Sequence, residues 1–319
     1  MAKLLNLIRN EWMKLWHKKA TWIMAGLLVV ILIGITGISK WADNNTVQPT
    51  DQPTWKENAA ERKAYLTAEL ANPKISEGTK KQFEEELAIT EYRLTENVAP
   101  FEFSDREQNL MDSYQLLALV LMFAVIAAAS IVASEFSQGT IKMLLSRPVK
   151  RWKILTSKYV TSLLYALALT IIALIANVIA GYIFFDAAGT GALLEVRGGE
   201  VVEVSYWSRV LALYGLQFIG IMVFTTFAFM IGSVFRTSSL AIGLSIFLMF
   251  MGPNIVYFLR NYEFTKYIMF THTDLTGYLT GNMFIPGITW PLSAAVLTVY
   301  VVLFLLISYW SFTKRDVTA

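Results

Sequence analysis

Six stretches of this chain run without one ionised side chain: about Ala20–Ser39, Leu116–Ala133, Tyr159–Phe185, Val210–Phe235, Thr237–Leu259 and Trp290–Phe312. Each is 18 to 27 residues long. A helix rises about 1.5 Å per residue, so about 20 residues cross a hydrocarbon layer of about 30 Å. Lipid offers no partner to a backbone N–H or C=O, so a run of this kind must be helical. The chain is 16% charged, with a mean hydropathy of +0.49, against about a quarter charged in soluble domains. Its apolar residues come in runs rather than at core spacing, and the fold expected is an all-α integral membrane protein with six transmembrane helices. The longer third and fourth runs tilt or extend past the membrane face. No small-residue cleavage site follows the first run, at Ile38-Ser39-Lys40-Trp41, so it reads as a retained helix, not a signal peptide.

Orientation follows from lysine and arginine in the short flanking segments. The first 19 residues carry Lys3, Arg9, Lys14, Lys18 and Lys19 against Glu11 alone. Residues 134–158 carry Lys142, Arg147, Lys150, Arg151, Lys153 and Lys158 against Glu135. Arg236, Lys314 and Arg315 fall on the same side if there are six spans. That side is expected to be the cytoplasm, holding both termini, with the cell membrane of a bacterium as the location. The stretch Lys40–Asp112 has 9 basic and 15 acidic residues, a net of −6, as suits the outside. Trp22, Trp41, Trp207, Trp290 and Trp310 sit near run ends, where interfacial aromatics belong.

The expected organisation is therefore a cytoplasmic interfacial helix over 1–19, a first span over 20–39, an extracytoplasmic helical hairpin over 40–112, and spans two to six over 113–319. In the first segment Leu4, Leu5, Ile8, Trp12, Leu15 and Trp16 recur at helical spacing, with Asn6, Arg9, Asn10 and Lys14 between them. A merely basic leader that fixes topology is the alternative. In the outer segment, Trp55, Ala59, Leu66 and Leu70 share one stripe, and Phe83, Leu87, Leu94 and Val98 share another. Asn72-Pro73 divides them. The outer loop Asp186–Ser208, with Gly198-Gly199, is expected to be irregular or a small β-hairpin. Residues 260–287 are too short and too polar for another span. Their many aromatics suit short helices re-entering the outer leaflet.

Several chemistries are excluded. There is no cysteine, hence no disulfide or thiolate. No G-x-x-x-x-G-K-[ST] loop occurs, so the chain has no ordinary means of cradling ATP. H-E-x-x-H and G-x-S-x-G are missing as well. The two histidines, His17 and His272, fall on opposite sides of the membrane, and a metal site built on them is not expected. No carboxylate lies within a span, which disfavours a carrier driven by protons or ions. The polar residues inside the spans include Asn177, Gln217, Thr225, Thr226 and Asn254. They are candidates for a translocation path, or else for interhelical hydrogen bonds that hold the bundle together.

The most informative segment runs from Ser134 to Arg151. Ile141, Leu144 and Leu145 sit at i, i+3 and i+4, so a short helix here presents one apolar face, and Pro148 ends it. Such a knob suits insertion into a groove on another protein, while a basic inner loop held on anionic lipid is an equal reading of the same residues. Glu135, Gly139-Thr140, Leu144-Leu145, Pro148, Arg151 and Ser157-Lys158 resemble the first inner loop of the ABC-2 type permeases, the membrane subunits of one class of ATP-binding-cassette exporter. The ending Phe312-Thr313-Lys314-Arg315-Asp316-Val317 is similar to that family's usual C-terminus.

The resemblance implies a permease that is not itself an enzyme and binds no cofactor, with ATP and Mg held by a separate subunit. It implies two ATPase copies, a second permease subunit (identical or related), contact with membrane lipids, and no nucleic acid. The docking residues it implies are Glu135, Gly139, Thr140, Ile141, Leu144, Leu145, Arg147, Pro148 and Arg151. The substrate it implies is amphipathic, such as an antimicrobial peptide, a drug or a lipid. The large hairpin departs from the compact members of that family. It leaves a second reading open, a membrane sensor or scaffold that uses the acidic outer hairpin.

Overall fold

In the computed structural model, which describes residues 2–45, 54–72, 75, 77–101, 106–141, 149–185, 191–235, 237–281, 285 and 288–314, six helices are long and apolar enough to cross a membrane. They are α2 (Lys19–Asn45), a second span built from α5 (Arg106–Asp112), a 3-10 turn and α6 (Leu117–Ser137), then α7 (Arg151–Phe184), α8 (Tyr206–Val234), α9 (Ser238–Leu259) and α11 (Trp290–Lys314). The protein is an all-α membrane protein, relieved among the described residues by one two-stranded hairpin.

The most buried span is α6, which packs against α7, α8 and α9. Its sequence explains the position. Ala124, Ala127, Ala128, Ala129 and Ala133 are all buried, and small side chains let neighbouring backbones come close. At Gly232 of α8, a Cβ would lie 2.3 Å from the Ala129 carbonyl oxygen, so only glycine permits this approach. Around α6 the core gathers Leu28 and Leu32 of α2, Tyr165 and Leu169 of α7, and Ile221 and Phe229 of α8. At the periphery, α9 and α11 turn Phe250, Phe258, Leu306 and Trp310 outward. In a bilayer such faces rest against acyl chains or another membrane subunit, at no hydrophobic cost. Pro253 lies inside α9, and the helix continues through it to Leu259.

Further elements lie outside these spans. Helix α1 (Ala2–Trp16) packs across α7. Helices α3 (Trp55–Leu70) and α4 (Glu77–Glu96) lie side by side. Thr54 and Glu57 form a capping box that starts α3. Leu66 is fully buried between the pair, and Arg62 grips Glu86 through two bonds of 2.7 and 2.9 Å. Strands β1 (Leu194–Arg197) and β2 (Glu200–Glu203) form an antiparallel hairpin. Its two-residue turn places Gly198 and Gly199 at φ +63° and +91°, a conformation that costs glycine nothing. Arg93 of α4 donates to the Ala192 carbonyl at 2.9 Å and so ties α4 to this hairpin.

Between α9 and α11 the chain makes two 3-10 turns, Glu263–Tyr267 and Met269–His272, and the short helix α10 (Gly277–Thr280). His272 is buried there. Its Nε2 lies 2.7 Å from the Lys266 carbonyl, which can only accept, so the proton sits on Nε2. Nδ1 then accepts from Ser293 Oγ, also at 2.7 Å, and Tyr278 donates to that same oxygen.

Candidate functional site

At the end of the bundle where α6 stops and α7 begins, charged side chains are buried together. Glu135 occupies the last turn of α6 and is 3% exposed. Beyond it the helix stops at Gln138, and Gly139 takes φ +70°, which turns the chain back. That reversal sets the Thr140 hydroxyl on the Glu135 carboxylate. Lys158, in the second turn of α7, is 1% exposed. Its Nζ stands 2.9 Å from Glu135 Oε1 and 2.7 Å from Glu11 Oε2 of α1. Lys14, one turn after Glu11, reaches Glu135 as well. The order Glu11, Lys158, Glu135, Lys14 alternates in sign, so two carboxylates and two ammonium groups neutralise one another. Lys18 completes the group at its edge. Burial, and then the nearby Lys14 and Lys158, lower its pKa below the ordinary lysine value.

The cluster joins three helices that are distant in sequence, α1, α6 and α7. Leu15 and Ile131 pack around it, and the space left is about 10 Å³, room for no more than a water. It is therefore not a ligand site. No group of three metal-ligating side chains occurs among the described residues. A buried ion cluster adds little net stability compared with apolar packing, but removing one member leaves an uncompensated charge in low dielectric. What it fixes is geometry: α6 and α7 cannot separate at this end, nor α1 leave them, without exposing or unpairing a charge.

Weaker links surround it. Ser137 and Ser238 hydroxyls, 3.2 Å apart, connect α6 to α9. Arg151 donates to the Thr313 carbonyl of α11 at 3.2 Å, and Thr156 and Tyr309 share a bond of 2.6 Å.

Of the candidate docking residues, Glu135 and Ile141 are turned into the bundle, Ile141 being 4% exposed and part of the main core. The apolar face expected to project from the loop therefore does not include Ile141. Gly139 and Arg151 are exposed and Thr140 is half-buried. Leu144, Leu145, Arg147 and Pro148 lie outside the described residues, as do Arg236 and the end of the chain from Arg315.

Neither described cleft is lined by the five candidate path residues. Asn177 of α7 is buried and donates to Tyr214 of α8 at 2.9 Å, and Tyr214 shares a 2.9 Å bond with Ser113. Thr225 bonds back to the Ile221 carbonyl. Thr226 bonds to the Met222 carbonyl and shares a 3.0 Å bond with Tyr159 of α7. These are the interhelical bonds that hold a bundle, with Thr225 spent on its own helix. Asn254 is exposed on α9 and bonds only to the Phe250 carbonyl among its described contacts. Gln217 is half-buried, with Oε1 buried and unpartnered.

Sequence reasoning missed the pairing role of Glu11 and Lys14. The one available signal was that Glu11 is the only acid in a strongly basic leader.

Residues 88–318 match the family described as "Protein of unknown function (DUF2705)". Over 319 residues, 98% of this chain and 99% of the relative, the sequence is 34% identical to the uncharacterized protein YhcI of Bacillus subtilis (strain 168). Over 202 residues it is 30% identical to the uncharacterized membrane protein YdbK of the same organism, covering 62% of this chain and 78% of that one.

Proposed function

The chain belongs to the DUF2705 family, and we propose that it is the transmembrane permease subunit of an ATP-driven ABC-type exporter. The observation that carries this is the buried cluster of Glu11, Glu135, Lys14 and Lys158. Two of the groups gathered there, Glu135 and the Thr140 hydroxyl bonded to it, belong by sequence to the segment that resembles an ATPase-docking loop. Force on that loop is passed through Glu135 and Thr140 to α1, α6 and α7 together, as a coupling element requires.

On this account α1 is an interfacial helix at the cytoplasmic face, the basic end of the bundle is cytoplasmic, and α3 and α4 form an extracytoplasmic hairpin. The protein resides in the cell membrane. Two ATPase subunits bind the inner face, holding ATP and Mg, and a second permease subunit completes the pathway. ATP-driven closure of the ATPases moves the coupled helices, and an amphipathic substrate leaves outward. This chain performs no hydrolysis itself. The test is isolation of the intact chain from native membranes with its bound subunits. An ATPase carrying a phosphate-binding loop, released by Leu144→Ala with Leu145→Ala but retained by Lys142→Ala, supports the assignment. Retention by the double leucine variant refutes the docking role.

A sensor or scaffold that reads the outside through its acidic hairpin is favoured by one observation, the size of the α3–α4 pair and the extent of its pairing. Such a protein needs no ATPase, so the same isolation separates the two.

A further inference from the structure

Helix α1 is seated against α7 by the core and by a bond from Thr161 Oγ1 to the Ile8 carbonyl at 3.5 Å. Where the two helices diverge, a cleft of about 360 Å³ opens. Leu5, Ile8 and Trp12 of α1 line one wall, and Leu164, Leu167 and Ile171 are prominent on the other. Arg9 is the one charged residue in the lining. It stands at i+4 from Leu5 and i+1 from Ile8, so the guanidinium is set at the edge of the apolar face rather than on the opposite, polar one. It is exposed, and no carboxylate is paired with it among the described residues.

Beyond the cleft the exposed surface of α7 stays apolar. Leu167, Ile171, Ile175, Ile179 and Ile183 recur at every fourth position of α7, each between 39% and 63% exposed. At about 1.5 Å per residue, Leu167 to Ile175 spans about 12 Å, close to the depth of one leaflet of a layer about 30 Å thick. A cation therefore stands in the lining of an otherwise apolar cleft.

We propose that this cleft binds one anionic phospholipid, its phosphate on Arg9 and one acyl chain laid in the apolar cleft between α1 and α7. Charge and shape both select this occupant. A guanidinium pairs with a phosphate through two parallel bonds, and basic pockets between membrane helices hold anionic headgroups. A free anion would leave the apolar walls unused. A zwitterionic lipid would bring a competing cation beside Arg9. The lipid would hold α1 on α7, next to the charged cluster. The proposal rests on the membrane-spanning fold and not on the exporter assignment.

The experiment uses the full chain purified in detergent and titrated with phosphatidylglycerol or phosphatidylcholine of matched acyl chains, with bound lipid counted by native mass spectrometry. Phosphatidylglycerol should bind about tenfold more tightly, the scale of one charge-assisted phosphate contact. Arg9→Gln should bring it to the phosphatidylcholine level, and Arg9→Lys should recover part of the difference. Lys19→Gln, which removes an exposed cation outside the cleft, should change nothing. Ala168→Phe, which narrows the groove, should weaken both lipids alike. Equal binding of the two lipids overturns the proposal, as does indifference to Arg9→Gln. Displacement of phosphatidylglycerol by inorganic phosphate at equal concentration also overturns it, since the site would then bind an ion and not a lipid. Each variant is first checked for a single monodisperse species, and Arg9→Lys decides the matter if Arg9→Gln fails that check.

Discussion

Lys158→Met is the sharpest perturbation of the coupling cluster. Methionine keeps the unbranched stem and its packing, and removes only the charge. In the native chain that ammonium group, 1% exposed, serves Glu135 at 2.9 Å and Glu11 at 2.7 Å. Breaking a buried pair by deleting one partner costs about 3–5 kcal/mol. Glu135 keeps Lys14 and Thr140, and the Glu11 side chain is 12% exposed and can hydrate, so the lower end, about 3 kcal/mol, is expected. Lys14→Met should cost only about 1 kcal/mol, because the Lys14 side chain is 49% exposed and its pairing is screened by water. Lys158→Met with Glu135→Met removes both charges, and it should cost about 1–3 kcal/mol less than the two single changes added together. Equilibrium unfolding in mixed micelles, followed by tryptophan fluorescence, measures all four variants. If the two changes add within about 0.5 kcal/mol, or if Lys158→Met is no worse than Lys14→Met, the cluster is not a coupled unit.

Gly232→Val should destabilise by about 1–3 kcal/mol, because its side chain meets the Ala129 backbone, which cannot rotate away; the same unfolding assay reads it. In the α3–α4 pair, Leu66→Ala should cost about 2–3 kcal/mol of local stability. Arg62→Ala there should cost no more than about 1 kcal/mol, since the Arg62–Glu86 bridge is exposed on both sides; hydrogen exchange over residues 54–98 ranks the two. Burial pushes the His272 imidazole below its ordinary pKa of 6.5. The unfolded chain therefore takes up the proton first, and stability is complete above about pH 6.5 and falls as the pH drops, by at most about 1.4 kcal/mol per unit. His272→Asn should flatten that acid-side slope when melting is compared at pH 7.5 and 5.5.

The spans were legible because lipid imposes one requirement on all of them: a charge-free run of sufficient length. Val210–Phe235 is α8, Tyr206–Val234, and Trp290–Phe312 is α11, Trp290–Lys314, within a few residues. The cluster was only half legible. Glu135 and Ser157-Lys158 stood out only through the resemblance to a known inner loop, whereas their partners come from α1, 121 and 147 residues away in sequence. No periodicity encodes such pairs, and Lys14 and Glu11 read as mere topology signals. Ile141 misled for a related reason. Its i, i+3, i+4 spacing with Leu144 and Leu145 marks an apolar face but not its direction, and the turn at Gly139 sends Ile141 inward. Arg9 looked like a member of the polar face until the line of contact between α1 and α7 was defined.

The central proposal is that the basic segment between Glu135 and Lys158 in sequence transmits work from an ATPase. The most direct measurement is ATP hydrolysis by the complex isolated from native membranes, in wild type and Lys158→Met, with the amount of bound ATPase matched. The account predicts that Lys158→Met retains the ATPase subunits yet loses coupling, so that substrate no longer changes the rate of hydrolysis. Isolation of the chain without any ATPase, from membranes cross-linked before extraction, would contradict it, as would unchanged substrate response in Lys158→Met.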